Sequence, residues 1–227
     1  MAFKSTQTSG LLVKSSLASF IREEIISGRI KPGERIVETK WSVKLGVAQA
    51  SIREALNILA AEGFVEKGAG RSARVTELSD EDVEQIYQLR EVVEQLAARL
   101  VAQKQPDLSD LDQAIADMRS AAECSNLRAF YERDLRFHLL ICEKSGNRFL
   151  EQSLKRVLVP LFAFVVMRVH LRAEDSKYWH PSIEQHRKIV EALRSGDAFF
   201  AEQQVARTVK AFSAATKELL HKERLGG

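Results

Sequence analysis

The spacing of apolar residues predicts two helices at the start of the chain. Leu17, Phe20 or Ile21, and Ile25 recur at helical spacing, and Gly28 ends this first helix. The turn Lys31-Pro32-Gly33 follows, because proline and glycine favour turn conformations. A second helix is predicted from about Glu38 to Leu45, where Gly46 ends it.

A third helix and a hairpin complete this N-terminal pattern. The third helix is predicted over about 50–62, with four apolar residues facing inward and Gly63 as its stop: Ile52, Ala55, Leu56 and Leu59. Two short alternating segments, 64–67 and 73–76, flank a glycine-rich turn and predict a β-hairpin. Three helices followed by a hairpin are typical of a winged helix-turn-helix, whose third helix enters the DNA major groove.

From residue 79 onward the pattern is helical throughout. Ser79 is a predicted N-cap with an acidic first turn after it, and the inner stripe of that helix is predicted as Ile86, Arg90, Val93, Ala97 and Leu100. Further helices are predicted over 107–123, 127–144, 147–170, 181–194 and 197–222. The fold class is therefore mainly α: a winged helix-turn-helix with a small β-hairpin wing, followed by an all-α bundle of about six helices.

Charge and composition add to this picture. Residues 1–76 contain 12 Lys and Arg against 7 Asp and Glu, whereas residues 77–227 contain 22 against 24. A basic N-terminal unit joined to a mildly acidic one favours a polyanion as the partner of the first unit. No apolar run approaches the roughly 20 residues that cross a bilayer, and Cys124 and Cys142 are predicted to be buried or half-buried. We expect a cytoplasmic protein with no membrane contact.

The polar residues of the first unit fit DNA binding. Gln49, Ser51 and Arg53 fall at the exposed start of the third helix, where side chains of such domains meet base edges or phosphates. Gly70, Arg71 and Arg74 fall on the hairpin, from which arginines can reach the DNA backbone or minor groove. Each arginine taken alone is an ordinary surface residue, but their order and spacing together predict a DNA-binding surface.

Several polar residues of the second unit fall on inward helix faces. Asp134 and His138 are four residues apart, on the face that carries Phe130, Phe137 and Ile141. His186, Arg90 and Thr208 also lie on predicted inner stripes, and burial of such groups is costly unless they are paired or used. The set predicts a polar cavity inside the bundle, although a buried hydrogen-bonded pair would explain any one of these residues.

The N-terminal motifs resemble a known family. GRIKPGERI and LGVAQASIREALNILAAEGFVEKGAGRSARV are similar to the DNA-binding domain of GntR-family bacterial transcription regulators. By this resemblance, Thr39 and Lys40 lie near a DNA-contacting position of the second helix, and Arg53 keeps its family place. Gln49 replaces a usual arginine and Ser51 a frequent proline. Because glutamine more often pairs with adenine, the operator is expected to differ at that base.

The second unit resembles the FCD effector domain of the FadR subfamily, through YQLREVVEQLAARL, DLRFHLLICEKSGN and EQHRKIVEALRSGD. The resemblance implies that an Asp and three histidines bind a divalent metal, often zinc or nickel, which in turn holds a carboxylate effector. Asp134, His138 and His186 match three of these positions, whereas the fourth is Thr208. Two alternatives follow: a three-ligand metal site, or a cavity in which Arg90 grips a carboxylate directly.

Together these features predict a ligand-responsive transcription regulator, most simply a repressor. The predicted domains are a flexible N-terminus (1–10), a winged helix-turn-helix (11–76) and an FCD-like effector and dimerisation domain (77–227). The predicted partners are a palindromic operator DNA, a small carboxylate effector and a second copy of the chain. The alternatives are a regulator that senses the metal itself and, with no nucleophile or second carboxylate to support it, an all-α metalloenzyme without identified catalytic residues.

Overall fold

The computed structural model describes residues 10–68, 70, 72–169 and 179–224, with only the backbone described for 10–14, 169 and 219–224. The chain divides into two compact units after Glu77. Most of the predicted N-terminus, residues 1–9, lies outside the described residues, as does Arg71. No helix in the described part is both long and apolar enough to cross a membrane.

In its described residues, the first unit contains three helices and a three-stranded antiparallel sheet of order β1-β3-β2. Ile21, Ile36, Ile52 and Leu59 are among its fully buried core residues. The third helix and the hairpin form within one residue of the predicted bounds. The elements are α1 (Gly10–Ile26), β1 (Arg35–Val37), α2 (Glu38–Leu45), α3 (Gln49–Ala61), β2 (Val65–Lys67) and β3 (Ser72–Val75).

The strand β1 was not predicted, because three residues are too few to show an alternating pattern. It pairs with β3, with Ile36 opposite Ala73, while β2 pairs on the other edge with Glu66 opposite Arg74. The third strand ties the wing to the start of α2, since Glu38 follows β1 directly. This connection positions the first turn of α2 beside the wing strands.

The second unit is all-α in the described residues. Its helices are α4 (Asp80–Lys104), α5 (Ser109–Glu123), α6 (Leu127–Lys144), α7 (Arg148–Val169), α8 (Trp179–Arg194) and α9 (Ala198–Arg224). The predicted N-cap at Ser79 is confirmed: its hydroxyl accepts from the Asp82 amide, and the Asp82 carboxylate accepts from the Ser79 amide. Helix α4 packs against α6, α7, α8 and α9, so it forms the centre of the bundle.

Two burial predictions need correction. The buried face of α4 includes Tyr87, Glu94 and Val101, whereas Ile86 and Leu100 of the predicted stripe are only half-buried. The face is rotated because α4 has neighbours on several sides rather than one. Cys142 is buried as predicted, but Cys124 is exposed at the C-terminal end of α5, where the helix leaves the core.

Candidate functional site

A buried carboxylate organises the start of the recognition helix α3. Glu38, in the first turn of α2, accepts a hydrogen bond from Gln49 Nε2 at 3.0 Å and from Arg53 Nη2 at 2.9 Å. The pKa of the Arg53 guanidinium is raised by this hydrogen bond and by the Glu38 charge. Gln49 and Arg53 are therefore held side by side at one end of α3.

The other predicted DNA contacts lie around this clamp. Thr39, Lys40 and Gly70 are exposed, and Ser51 is half-buried. Gly70 has a φ of 84°, a left-handed conformation that suits glycine at the tip of the wing. A groove of about 120 Å³ between α3 and the wing is lined by Glu38, Arg53, Leu56, Asn57, Lys67, Gly68, Gly70, Ser72 and Ala73. The wing and α3 thus share one concave, polar surface.

Two arginines of the three-stranded sheet are held by hydrogen bonds. Arg74 is exposed and donates from Nη1 to the Gly33 carbonyl at 2.6 Å. Arg35, on β1, donates from Nε to the Ser72 hydroxyl at 3.1 Å. Glu38 and Arg35 were not singled out from the sequence, because neither the unpredicted strand nor its pairing with the wing could be seen there.

The predicted polar residues of the second unit meet in its core. His138 Nε2 and His186 Nε2 lie 3.2 and 2.9 Å from the same atom, Asp134 Oδ1. Arg90 Nη2 lies 3.2 Å from His138 Nε2. The histidines and Arg90 are at most 1% exposed, and Asp134 is 7% exposed. Four residues from three helices therefore form one buried cluster.

Glu94 is a fifth member that the sequence did not reveal. It lies one helical turn after Arg90, accepts from Arg90 Nε at 2.7 Å, and lies 2.7 Å from His138 Nδ1 through its other oxygen. It was missed because the predicted inner stripe of α4 included Ile86 and Leu100, whereas the buried face of this helix includes Glu94. A glutamate four residues after an inward arginine was the available signal.

The hydrogen-bond partners determine the proton positions in the cluster. His186 Nδ1 lies 2.7 Å from the Ser182 carbonyl oxygen, so this nitrogen carries a proton. A neutral His186 therefore points an unprotonated Nε2 at Asp134 Oδ1, which is also an acceptor. His138 differs, since its Nδ1 faces the Glu94 carboxylate while its Nε2 lies near both Asp134 Oδ1 and the donor Arg90 Nη2. A proton on His186 Nε2, or a cation, would separate this nitrogen from the Asp134 oxygen.

Electrostatics in the cluster favour the charged forms. Burial raises the pKa of Glu94, but Arg90 and His138 outweigh burial and lower this pKa to about 2. Burial likewise raises the pKa of Asp134, yet its two histidines hold that pKa well below its usual range. Burial lowers the pKa of His138, but Glu94 and Asp134 raise this pKa by a larger amount, so the net shift is upward.

The donor set is compatible with a divalent metal. The ligand atoms of Asp134, His138 and His186 all lie within 4.8 Å of one another. Atoms bound at about 2.1 Å to one tetrahedral ion are about 3.4 Å apart, so any pair of these atoms that is farther apart would have to move closer together to share an ion. Glu94 and the Ser182 carbonyl fix the two imidazoles from behind, as the outer partners of metal-bound histidines do.

Thr208 is fully buried on α9, as its stripe predicts. Its hydroxyl donates to Gln185 Oε1 at 3.4 Å and accepts from Gln204 Nε2 at 3.3 Å. It is not among the residues that line the cavity beside the cluster. The sequence placed Thr208 on the inner face correctly, but its hydrogen bonds run to two glutamines rather than to the histidines.

A cavity opens beside the cluster. The space open to centres of water-sized molecules is about 80 Å³, enough for several waters. Arg90 and Asp134 contribute its charged side chains. The remaining wall is mostly apolar or aromatic. Its residues are Tyr87, Phe130, Tyr131, Leu161, Phe162, Val165, Trp179, Ser182, Phe212, Ala215 and Thr216. The buried cluster is therefore accessible to a small molecule from one side.

Comparison with known families identifies both units. The model for "Bacterial regulatory proteins, gntR family" matches residues 14–75, and the FCD domain model matches residues 85–211, more than half of the chain. The chain belongs to the GntR family of transcription regulators, in its FCD-containing FadR subfamily. Membership in this family of DNA-binding regulators confirms the prediction of a regulator rather than an enzyme.

Named GntR relatives cover most of the chain. A probable D-xylose utilization operon transcriptional repressor of Paenarthrobacter nicotinovorans is 28% identical over 92% of each chain. The gluconate operon transcriptional repressor of Bacillus licheniformis is 24% identical over 80% of this chain and 75% of its own. Among solved structures, E. coli McbR/YncC has a TM-score of 0.68 at 19% identity and covers 94% of this chain and 99% of its own, which shows a shared fold.

Proposed function

We propose that this GntR-family regulator is a cytoplasmic, homodimeric repressor that binds a palindromic operator and releases it when a small carboxylate enters the cavity of its FCD domain. The observation that carries the effector proposal is the buried five-residue cluster bordering that cavity. Repression rests on similarity alone: relatives are named as repressors of operons for xylose and gluconate use.

DNA binding would use the surface built around Glu38. The proposed contacts to bases come from Gln49, Ser51 and Arg53 at the start of α3. The proposed contacts to the DNA backbone come from the second helix and the wing. These are Thr39, Lys40, Gly70 and Arg71. Gln49 and Arg53 favour adenine and guanine respectively, so the clamp would fix which two neighbouring bases are read.

A metal cation bound in the cluster would support the effector proposal, because it would add positive charge for a carboxylate. The cluster contains two carboxylates, Glu94 and Asp134, against the one permanent positive charge of Arg90. We infer that Asp134, His138 and His186 would hold zinc or nickel there. Such an ion would supply positive charge and open coordination positions for a carboxylate. Thr208, which is hydrogen-bonded to Gln185 and Gln204, would support the wall rather than complete the ligand set.

Arg90 offers a second way to hold the carboxylate. Its hydrogen bonds use Nε and Nη2, and within the described residues Nη1 makes no hydrogen bond. Nη1 would therefore donate to the effector while Glu94 keeps the guanidinium in place. Because Arg90 is part of the cavity wall, this contact does not depend on a metal.

Helix α4 would couple the effector site to dimerisation. Its inner face carries Arg90 and Glu94, and its outer face carries the exposed apolar side chains of Leu89, Val92 and Leu96. These three are spaced three and four residues apart, so they form one stripe. A second copy of the chain is the expected occupant, since a palindromic operator requires two heads. A shift of α4 on effector binding would then change the spacing of the heads.

The test is fluorescence anisotropy with a duplex from the chain's own upstream promoter and a scrambled duplex of equal length. We expect tighter, salt-dependent binding to the promoter, weakened when an effector acid is added. Equal affinity for both duplexes at every salt concentration would contradict operator recognition. Specific binding that no small carboxylate alters would contradict the effector proposal alone.

A regulator that senses the metal itself is the second candidate, favoured by the acceptors that face one another around Asp134. Zinc or nickel alone should then change operator affinity, with no organic acid present. Asp134→Ala and His186→Ala should abolish that response. A response to organic acids that persists after chelation, with none to metal, would exclude this candidate.

A further inference from the structure

The cavity wall contains few polar groups that are available to a ligand. Tyr87 and Thr216 hydrogen-bond to each other through their hydroxyls at 2.7 Å. Asp134 is engaged by two histidines, and Arg90 by Glu94 and His138. Apart from Arg90 Nη1, these groups already hydrogen-bond to one another across the bundle. A ligand with many hydroxyls would leave several of them without partners, at a cost of about 1–3 kcal/mol each.

Aromatic rings make up much of the remaining surface. Trp179 stacks on Phe130 with ring centroids 5.4 Å apart and an interplanar angle of 15°. Phe162 faces Tyr131 edge-on, and Phe212 lies against both histidine rings. A wall of this kind favours a flat or branched apolar body, which gains from burial and from ring contacts.

One donor at this wall has no partner among the residues that the structure describes. The indole Nε1 of Trp179 is a buried nitrogen without a hydrogen-bond acceptor among the described residues. Trp179 begins α8 and is 6% exposed. A buried N–H without an acceptor is costly, and Trp179 is a residue of the cavity wall, so an oxygen of a bound ligand would supply the missing acceptor.

We infer that the effector is a small carboxylic acid with an apolar aromatic or branched body, one of whose oxygens accepts the Trp179 Nε1–H hydrogen bond. This inference rests on the proposed effector function of the cavity and specifies its ligand class. It implies that the effector of this protein is not a polyhydroxylated sugar acid. Trp179 is then a ligand-binding residue, and the aromatic wall disfavours hydroxyl-rich acids.

The two tryptophans of the chain give a direct measurement. Trp41 lies in the first unit, so Trp41→Phe leaves Trp179 as the only indole. Titration of this full-length variant with phenylacetate, 4-methylpentanoate and gluconate can be followed by Trp179 emission. We expect both apolar acids to change the emission and raise the melting temperature, whereas gluconate at equal concentration changes neither.

Trp179→Phe tests the hydrogen bond itself, because phenylalanine keeps a ring against Phe130 and removes the N–H group. Calorimetric titration should show about tenfold weaker binding of phenylacetate. Trp41→Phe, the matched control, should bind as the unmodified protein does. Thermal denaturation of both variants separates a loss of the hydrogen bond from a loss of folding.

The outcomes distinguish the two proposals. Binding of gluconate but of neither apolar acid would overturn the inference and leave an effector site in place. Binding of phenylacetate with equal affinity by Trp179→Phe would remove the role of the indole. If none of the three acids binds, with or without added zinc, both the inference and the carboxylate-effector proposal fail.

Discussion

The His138 imidazole is held between the carboxylates of Glu94 and Asp134, with 2.7 Å between His138 Nδ1 and Glu94 Oε2. The same carboxylate neutralises Arg90 through its other oxygen. Glu94 thus fixes the orientation of a candidate metal ligand and compensates a buried positive charge at the same time. Removing its charge should affect stability and ligand binding together.

Glu94→Gln should lower the free energy of unfolding at pH 7 by about 3 kcal/mol, because it leaves the Arg90 charge buried without its partner. Urea denaturation in the presence of a metal chelator measures the change. Glu81→Gln, on the exposed first turn of the same helix, is the control and should change stability by less than about 0.5 kcal/mol.

The Glu94 effect should also depend on pH. The folded state lowers the pKa of Glu94 from 4.5 to about 2, so its contribution is present above about pH 4.5 and is lost as the pH falls toward 2. The stability difference between the unmodified protein and Glu94→Gln should therefore shrink between about pH 5 and pH 3. A difference that stays constant over this range would contradict the assignment.

Metal binding can be tested by removing one ligand at a time. Asp134→Ala and His186→Ala should each abolish stoichiometric zinc or nickel binding, measured by elemental analysis after dialysis and by calorimetric titration. His180→Ala, on the exposed side of α8, should bind as the unmodified protein does. Retention of full metal affinity by both cluster variants would exclude the site.

Removal of Arg53 should weaken operator binding. Arg53→Ala deletes a guanidinium that Glu38 holds at the start of α3, and we expect a loss of about 1–3 kcal/mol for the promoter duplex. Arg29→Ala is the matched control, since Arg29 is an exposed arginine of the same unit paired with Glu24. Anisotropy titrations at several salt concentrations separate base contacts from phosphate contacts. An equal effect of the two variants would contradict a specific role for Arg53.

The dimer proposal predicts a charge-sensitive face on α4. Val92 is 67% exposed, so Val92→Glu should leave the fold intact while placing like charges against each other in a symmetric pair. Light scattering should then report about 25.6 kDa instead of twice that mass. Val43→Glu, at an exposed valine of α2, should remain dimeric. A dimer in both variants would place the interface elsewhere.

The sequence alone determined the order of helices and the inward direction of most cluster residues. Asp134 and His138 are one helical turn apart, and Phe130, Phe137 and Ile141 on the same face are all buried. The amphipathic period fixes such a face because burial of apolar side chains dominates helix packing. The local sequence likewise predicted the N-cap at Ser79 and the glycines at which α2 and α3 end.

Only the tertiary structure decided which of these polar groups meet. Glu94 belongs to the cluster because α4 is covered on several sides, which rotates its buried face away from the expected stripe. Glu38 joins Gln49 and Arg53 through a strand pairing of three residues that no periodicity reveals. Trp179 and Phe130 are 49 positions apart on different helices, and they stack at the cavity. Such contacts depend on packing between distant segments, whereas local pattern fixes only the face of each helix.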